Sequence, residues 1–400
     1  MSRFLVLQFI VLLVKGVLPL ATFFVLQGVA STELLAAFLI VVSLANFLSN
    51  LGNLSANLMA PGYFFKGEES VGREPELAEL FQSVRLLFSL LLASLGVFFV
   101  IVWLTPSLVP VIFYQVVLGV LPTWRFYSMR RVDLVLGVET LCRLPVYFCL
   151  VYCYISANYI SLMYVYSAVA VVFVVYSALM LNYGLLCKLL KRREDLTKVL
   201  RYLWFVLPYN LFVTAFNSGL VFLIGLVGSS ELIVQAGLMD RLKNILVQVQ
   251  GVFMVERLAS NRAYVVSGGR EILGALTRNT LLVIVSILMV AFVLLLLYFV
   301  PTLFQSYLGY DSNFFWVFLL GFGVIPLISV TGIFVSQVLP AMRALDSLYL
   351  VALASGGACF VYVFIGIWFG GGAMVMGVPL LYEMFTLGFV YLALRKLGWH

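Results

Sequence analysis

Histidine is almost missing from this chain: the one imidazole belongs to the last residue, His400. That excludes imidazole catalysis and a histidine-based metal site. Charge is scarce as well, with 10% of the 400 residues being Asp, Glu, Lys or Arg, against roughly a quarter in an average soluble domain. Cysteine is sparse and carries no metal-ligand spacing. Cys142, Cys149 and Cys153 recur at helical intervals inside one apolar run and read as small core residues, while Cys187 and Cys359 stand apart. No cofactor and no metal is expected.

What is there is hydrocarbon. The chain is 64% hydrophobic with a mean hydropathy of +1.13. A water-soluble fold of this size could not hide so much apolar surface, so the solvent must be lipid. The net charge of +7 therefore reports sidedness, and no nucleic-acid partner is expected. A helix needs about 20 apolar residues to cross the hydrocarbon core. About twelve runs qualify: 4–27, 34–59, 84–105, 107–124, 133–155, 158–185, 203–228, 231–255, 280–301, 313–338, 347–369 and 373–394. They are too long and too unalternating for barrel strands. Lys15 interrupts the first run and no cleavage-like site follows, so it is not expected to be a removable signal.

The connections alternate in character. Those after odd-numbered runs (28–33, 106–107, 156–158, 228–230, 301–312, 370–372) hold no Lys or Arg. Those after even-numbered runs hold Lys66, Arg73, Arg125, Arg130, Arg131, Lys188, Lys191, Arg192, Arg193, Arg257, Arg262, Arg270, Arg278 and Arg343. The positive-inside rule then places both termini in the cytoplasm. Three short matches recur in the same order: Val17-Leu18-Pro19 with Val206-Leu207-Pro208, Ser31-Thr32-Glu33-Leu34 with Ser229-Ser230-Glu231-Leu232, and Val120-Leu121-Pro122 with Val338-Leu339-Pro340. They predict an all-α polytopic protein of two six-helix lobes related by a parallel pseudo-repeat. The N-terminal lobe covers 1–186, a basic cytoplasmic linker 187–202 and the C-terminal lobe 203–400.

In hydrocarbon the polar residues carry the information, because each must find water or a partner. Asn46, Asn50, Asn53 and Asn57 form one continuous face of the second run. Gln8, Lys15 and Thr22 align in the first run, and Asn210, Thr214 and Asn217 in the seventh. In the eighth, Asp240, Arg241, Lys243, Asn244, Gln248 and Gln250 share one side. Hydrogen-bonded helix glue is the plain alternative for such stripes. Charges weigh against glue alone: Lys15, Glu139, Arg143, Asp240, Arg241, Lys243 and Glu383 lie well inside the runs. Facing lipid, such a set would cost roughly 20 kcal/mol, more than an ordinary domain's net stability. Glu139 can pair with Arg143 one turn away, and Asp240 can satisfy only part of Arg241 and Lys243. The expected outcome is a cavity of positive potential between the lobes, lined by Lys15, Arg143, Arg241 and Lys243, with Asn46, Asn50, Asn53, Asn210 and Asn217 as further substrate ligands. Arg and Lys are the expected partners of a phosphorylated substrate. Asp240 and Glu383 are weaker candidates for cation or proton coupling. Pro19 and Pro208 are expected to kink the first and seventh helices.

Several segments resemble Wzx-type polysaccharide flippases of the multidrug/oligosaccharidyl-lipid/polysaccharide exporter superfamily. They are Ser43-Leu44-Ala45-Asn46 with Leu51-Gly52-Asn53-Leu54-Ser55-Ala56, then Leu121-Pro122-Thr123-Trp124-Arg125-Phe126 with Met129 and Arg143, and Leu223-Ile224-Gly225-Leu226 with Ser229-Ser230-Glu231 and Asp240-Arg241-Leu242-Lys243. The last departs from the family's small-acidic-basic order, which bears on Arg241. The resemblance implies a bacterial inner-membrane flippase that moves an undecaprenyl-diphosphate-linked O-antigen or capsule repeat unit. It also implies membrane lipid, a polysaccharide polymerase and a chain-length regulator as candidate partners. Two other readings compete. A cation-coupled multidrug exporter of the same superfamily would favour an acidic cavity. A membrane polymerase or glycosyltransferase would place catalytic residues in a large external loop, whereas the longest one here, 301–312, holds one acid, Asp311. A non-enzyme is expected.

Overall fold

The computed structural model describes residues 3–53, 75–104, 106–120, 132–156, 160–180, 193–299, 313–342, 344–366, 368 and 372–399; side chains of some residues within these helices, Lys15 and Glu139 among them, are not described. The chain forms two compact units, Met1–Phe222 and Leu223–His400.

In the first unit the helices are α1 (Arg3–Val29), α2 (Thr32–Asn53), α3 (Pro75–Trp103), α4 (Val109–Val120), α5 (Val132–Ser156), α6 (Ile160–Met180), α7 (Arg193–Asn217) and the short α8 (Leu220–Gly225), which runs into the second unit. The second continues with α9 (Ser230–Val266), α10 (Ile272–Arg278), α11 (Thr280–Phe299), α12 (Asn313–Gly332), α13 (Leu345–Ile365), α14 (Gly372–Val375) and α15 (Val378–Lys396). Every regular element among the described residues is helical. Six helical segments there are long and apolar enough to cross a membrane: Thr32–Asn53, Leu80–Trp103, Leu196–Asn217, Leu320–Ala341, Leu345–Ile365 and Val378–Lys396. The protein is thus an all-α, multi-pass membrane protein.

One sequence repeat has a structural cause. Ser31 Oγ accepts the Leu34 N–H at 3.3 Å at the start of α2, and Ser229 Oγ accepts the Leu232 N–H at 3.3 Å at the start of α9. The two Ser-x-Glu-Leu stretches are the same N-cap used twice, and Glu33 and Glu231 complement the helix dipole in the first turn.

In the first unit α2 packs on α3, α4 and α7, α1 on α5, and α4 on α6. Small residues let backbones approach: a Cβ on Gly119 of α4 would meet the Ser49 backbone oxygen of α2 at 2.8 Å, and one on Gly96 of α3 would meet the Leu48 side chain. Outward from this core point Phe98, Trp103, Leu141, Phe148, Ile155 and Tyr164, the face that lipid covers. In the second unit α12 packs on α9, α11 and α15, and α13 on α15. α9 has 37 residues, about 55 Å of helix, which exceeds a hydrocarbon core of about 30 Å. The chain then turns through the elbow of α10 and α11, bent by 65°.

Several boundaries differ from expectation. α3 begins at Pro75 rather than 84, because Pro at the first position starts a helix and the following residues form helix well. The single run expected over 203–228 is broken after Asn217. At the break a Cβ on Gly219 would press the Ala215 carbonyl oxygen at 2.8 Å, so the turn there suits glycine. α12 ends in a π-helical turn, Ile333–Val338. The boundary between the two compact units falls within α8, between Phe222 and Leu223; of the 187–202 segment only residues from Arg193 are described, as the start of α7. Pro19 and Pro208 lie inside α1 and α7 as expected.

Candidate substrate-binding residues

The asparagine face of α2 meets the broken helix. Ser43, near the middle of α2, donates to the Ser218 carbonyl at 3.0 Å and accepts the Phe222 N–H at 3.0 Å. One hydroxyl thereby satisfies both sides of the break, which at this depth needs protein or water partners. Asn50 Nδ2 donates to Ser218 Oγ at 2.9 Å. Asn46 is half-buried and Asn50 exposed. On α7, Asn210 is buried, Asn217 is half-buried, and Thr214 Oγ1 donates back to the Asn210 carbonyl at 2.5 Å. The structure thus joins the expected α2 face to the α7 end. Asn57 lies outside the described residues.

Asn53 turns to a residue that the linear pattern does not single out. Arg85 of α3 is completely buried. Its guanidinium donates to Asn53 Oδ1 at 2.7 Å, Gln82 Oε1 at 2.8 Å and the Gly119 carbonyl at 3.0 Å, near the C-terminal end of α4. A helix C-terminus carries partial negative charge, so a cation suits it. The Phe81 ring lies 5.8 Å from the guanidinium carbon, and Phe81 meets Tyr202 edge-on at 5.6 Å. Among the described residues no carboxylate pairs with Arg85. Arg85 falls at the edge of the expected run 84–105, whereas a helix that starts at Pro75 places it well inside.

Arg143 is buried on α5, within electrostatic reach of Tyr147 one turn on. Lys15 lies on α1, which packs against α5; its side chain, like that of Glu139, is outside the described set. The expected Glu139–Arg143 pair is therefore not placed.

In the second unit Lys243 Nζ lies 2.9 Å from Asp240 Oδ1, both side chains being almost fully buried. Asn244 Nδ2 donates to Asp240 Oδ2 at 2.8 Å. Arg241 is buried and donates to the Gly237 carbonyl at 3.1 Å. Asp240 thus serves Lys243 and Asn244. Glu383 of α15 is buried and accepts the Thr331 hydroxyl at 2.5 Å. Two further polar clusters appear, one around Gln250 of the expected polar side and one around Asn261. Gln250 Nε2 donates to Ser286 Oγ at 2.9 Å and the Ile325 carbonyl at 3.0 Å, and Ser286 shares a 2.7 Å bond with Ser329. Asn261 joins Asn279 and Gln337, tying α9 and the α10–α11 elbow to the π-helical turn. Such residues look like ordinary amides and hydroxyls in sequence and gain meaning only when three helices converge. Among the described residues no group of three His, Cys, Asp or Glu could hold a metal. The 301–312 loop is outside the described residues.

No family model matches the sequence, and no curated protein matches it. Solved structures do match in fold. An outward-facing multidrug resistance MATE family transporter of the MOP superfamily superposes with a TM-score of 0.60 at 15% identity, over 99% of this chain and 94% of that one. A MOP superfamily transporter from Pyrococcus furiosus Vc1, described as having a binding pocket of reverse polarity that suggests a different function, gives 0.59 at 14%, over 99% and 95%. An inward-facing multidrug resistance MATE family transporter gives 0.55 at 13%, over 98% of each chain. The chain has the MATE-type transporter fold.

Proposed function

We propose that this protein is a membrane transporter that flips an undecaprenyl-diphosphate-linked oligosaccharide from the inner to the outer leaflet of a bacterial inner membrane, with both termini cytoplasmic. The fold supports transport. The observation that carries the anionic substrate is Arg85, a cation buried in the first unit on neutral acceptors alone among the described residues. Buried Arg143 adds a second guanidinium to the same unit. A positive interior favours a diphosphate and disfavours organic cations. Lys15, Arg143 and Arg241 are the residues offered for the headgroup charge, and the amides Asn46, Asn50, Asn53, Asn210 and Asn217 for its uncharged parts. Lys243 is assigned to the headgroup less directly, because Asp240 already holds it.

A second reading, a cation-coupled multidrug exporter, is favoured by the multidrug transporters among the fold neighbours and by the buried Glu383–Thr331 pair, a carboxylate placed as coupling acids are in membrane helices. Complementation separates the two. In a flippase-null strain, this chain should restore surface polysaccharide and clear lipid-linked repeats from the cytoplasmic leaflet. No restoration, together with raised resistance to cationic drugs, would establish the exporter instead.

A further inference from the structure

Next to the Ser43 clasp stand two neutral amides of α2, Asn46 and Asn50, that are largely unused among the described residues. Asn50 is exposed and commits one N–H to Ser218; its carbonyl oxygen has no partner among the described residues. Asn46, one turn earlier and half-buried, has no hydrogen-bond partner among them. Each amide carries two donors and two acceptor lone pairs. At the level of a transmembrane helix's interior such groups face water or a ligand, because lipid satisfies none of them. Glue asparagines bond across helices, and among the described residues Asn46 makes no such bond.

We infer that Asn46, Asn50 and Ser218 form a subsite for a neutral, hydroxyl-rich group of the kind a sugar ring presents, distinct from the cationic residues that meet phosphate. The inference rests on the lipid-linked-glycan reading and deepens it. An amide presents a donor beside an acceptor, which matches a hydroxyl that both gives and takes a hydrogen bond. Side chains one turn apart on a helix stand about 5–6 Å from each other, a span that hydroxyls on one sugar ring can bridge. Asn46, Asn50 and Ser218 carry no formal charge, so phosphate gains little there. Position adds a consequence. Ser218 is the first residue past α7, at the break, and the first unit ends at Phe222. A hydroxyl can take the second Asn50 N–H while the first still holds Ser218 Oγ, so occupancy steadies the break after α7.

The test uses the full chain in nanodiscs and two probes of equal alkyl length, one a glycoside with a neutral disaccharide head and the other an alkyl diphosphate. Asn46→Leu and Asn50→Leu should each weaken glycoside binding about tenfold and leave diphosphate binding unchanged. Glycoside affinity that does not move, or equal loss of both probes, overturns the subsite while the lipid-linked-glycan reading stands on the diphosphate. Wild-type protein that binds neither probe overturns both. If the leucine variants do not fold, hydrogen exchange in the wild type decides: the glycoside, and not the diphosphate, should slow exchange of amides 218–222, and an unaltered pattern sinks the subsite.

Discussion

Asn53 and Arg85 hold each other across α2 and α3, the amide oxygen accepting from the guanidinium at 2.7 Å. The contact is one of three that fasten a completely buried cation to neutral acceptors. Hydrogen bonds to a charged group contribute about 1.5–3 kcal/mol each. Arg85→Ala removes all three and strands the Asn53 and Gly119 oxygens, so it should lower the melting temperature of the purified protein more than Asn53→Leu, which removes one. A double-mutant cycle on the pair should show coupling of about 1–3 kcal/mol. Additive losses would mean that Arg85 is held mainly by Gly119 and Gln82.

Asp240 and Lys243 pose the opposite problem, a pair that satisfies itself at 2.9 Å in a buried setting. Breaking a buried pair from one side costs about 3–5 kcal/mol, whereas replacing both members is often neutral. Lys243→Met should therefore destabilise the protein, and Asp240→Leu with Lys243→Met should recover most of the loss, both read by thermal melting. If the double variant still restores surface polysaccharide in a flippase-null strain, Lys243 is structural. If it is stable yet inactive, the pair acts in transport as well as in folding.

These two pairs show what the linear pattern conveys and what it hides. The apolar runs gave the helices, and the repeated Ser-x-Glu-Leu stretches gave equivalent starts for α2 and α9, because both signals are local. The Asp240–Lys243 contact spans less than one turn and was visible as a spacing, though not its closeness. Arg85 was hidden because its depth depends on where α3 begins, and helix boundaries are the least legible part of a sequence. Asn53 is visibly polar in the sequence, but its partner lies on another helix. The break after Asn217 is not legible because Ser218-Gly219 reads as tolerable within an apolar run; the opened groups are held by the Ser43 hydroxyl on α2, a tertiary partner that composition does not announce.

Glu383 offers a separate prediction about energy coupling. The carboxylate is buried and accepts the Thr331 hydroxyl, just before the π-helical turn of Ile333–Val338. Glu383→Gln keeps the size and an acceptor oxygen for Thr331 but cannot gain or lose a proton. If Glu383 carries the coupling proton or cation, the variant should fold with a melting temperature near that of the native protein and still exchange substrate down its gradient. Its uptake driven by an imposed pH or sodium gradient should fall to the level of ungraded vesicles. Full driven uptake by the variant would remove Glu383 from coupling and leave it a hydrogen-bonded structural acid.

Gly119 and Gly137 form a matched pair for testing how closely the first unit is packed. Both belong to described helices, α4 and α5, and each Gly→Ala change adds the same methyl group and the same gain in helix propensity, about 1 kcal/mol. Their surroundings differ. At Gly137 nothing lies within 4 Å of the new carbon, while at Gly119 it would meet the Ser49 backbone oxygen at 2.8 Å. Backbone cannot swing aside as a side chain can, and overpacking costs about 1–3 kcal/mol. Gly137→Ala should thus leave stability unchanged or slightly raised, and Gly119→Ala should lower it by separating α4 from α2. The same displacement would draw the Gly119 carbonyl away from Arg85, so Gly119→Ala and Arg85→Ala together should cost less than the sum of their separate effects. Thermal melting of the four proteins measures this directly, and strictly additive losses would show that the α2–α4 seam and the buried arginine are independent supports.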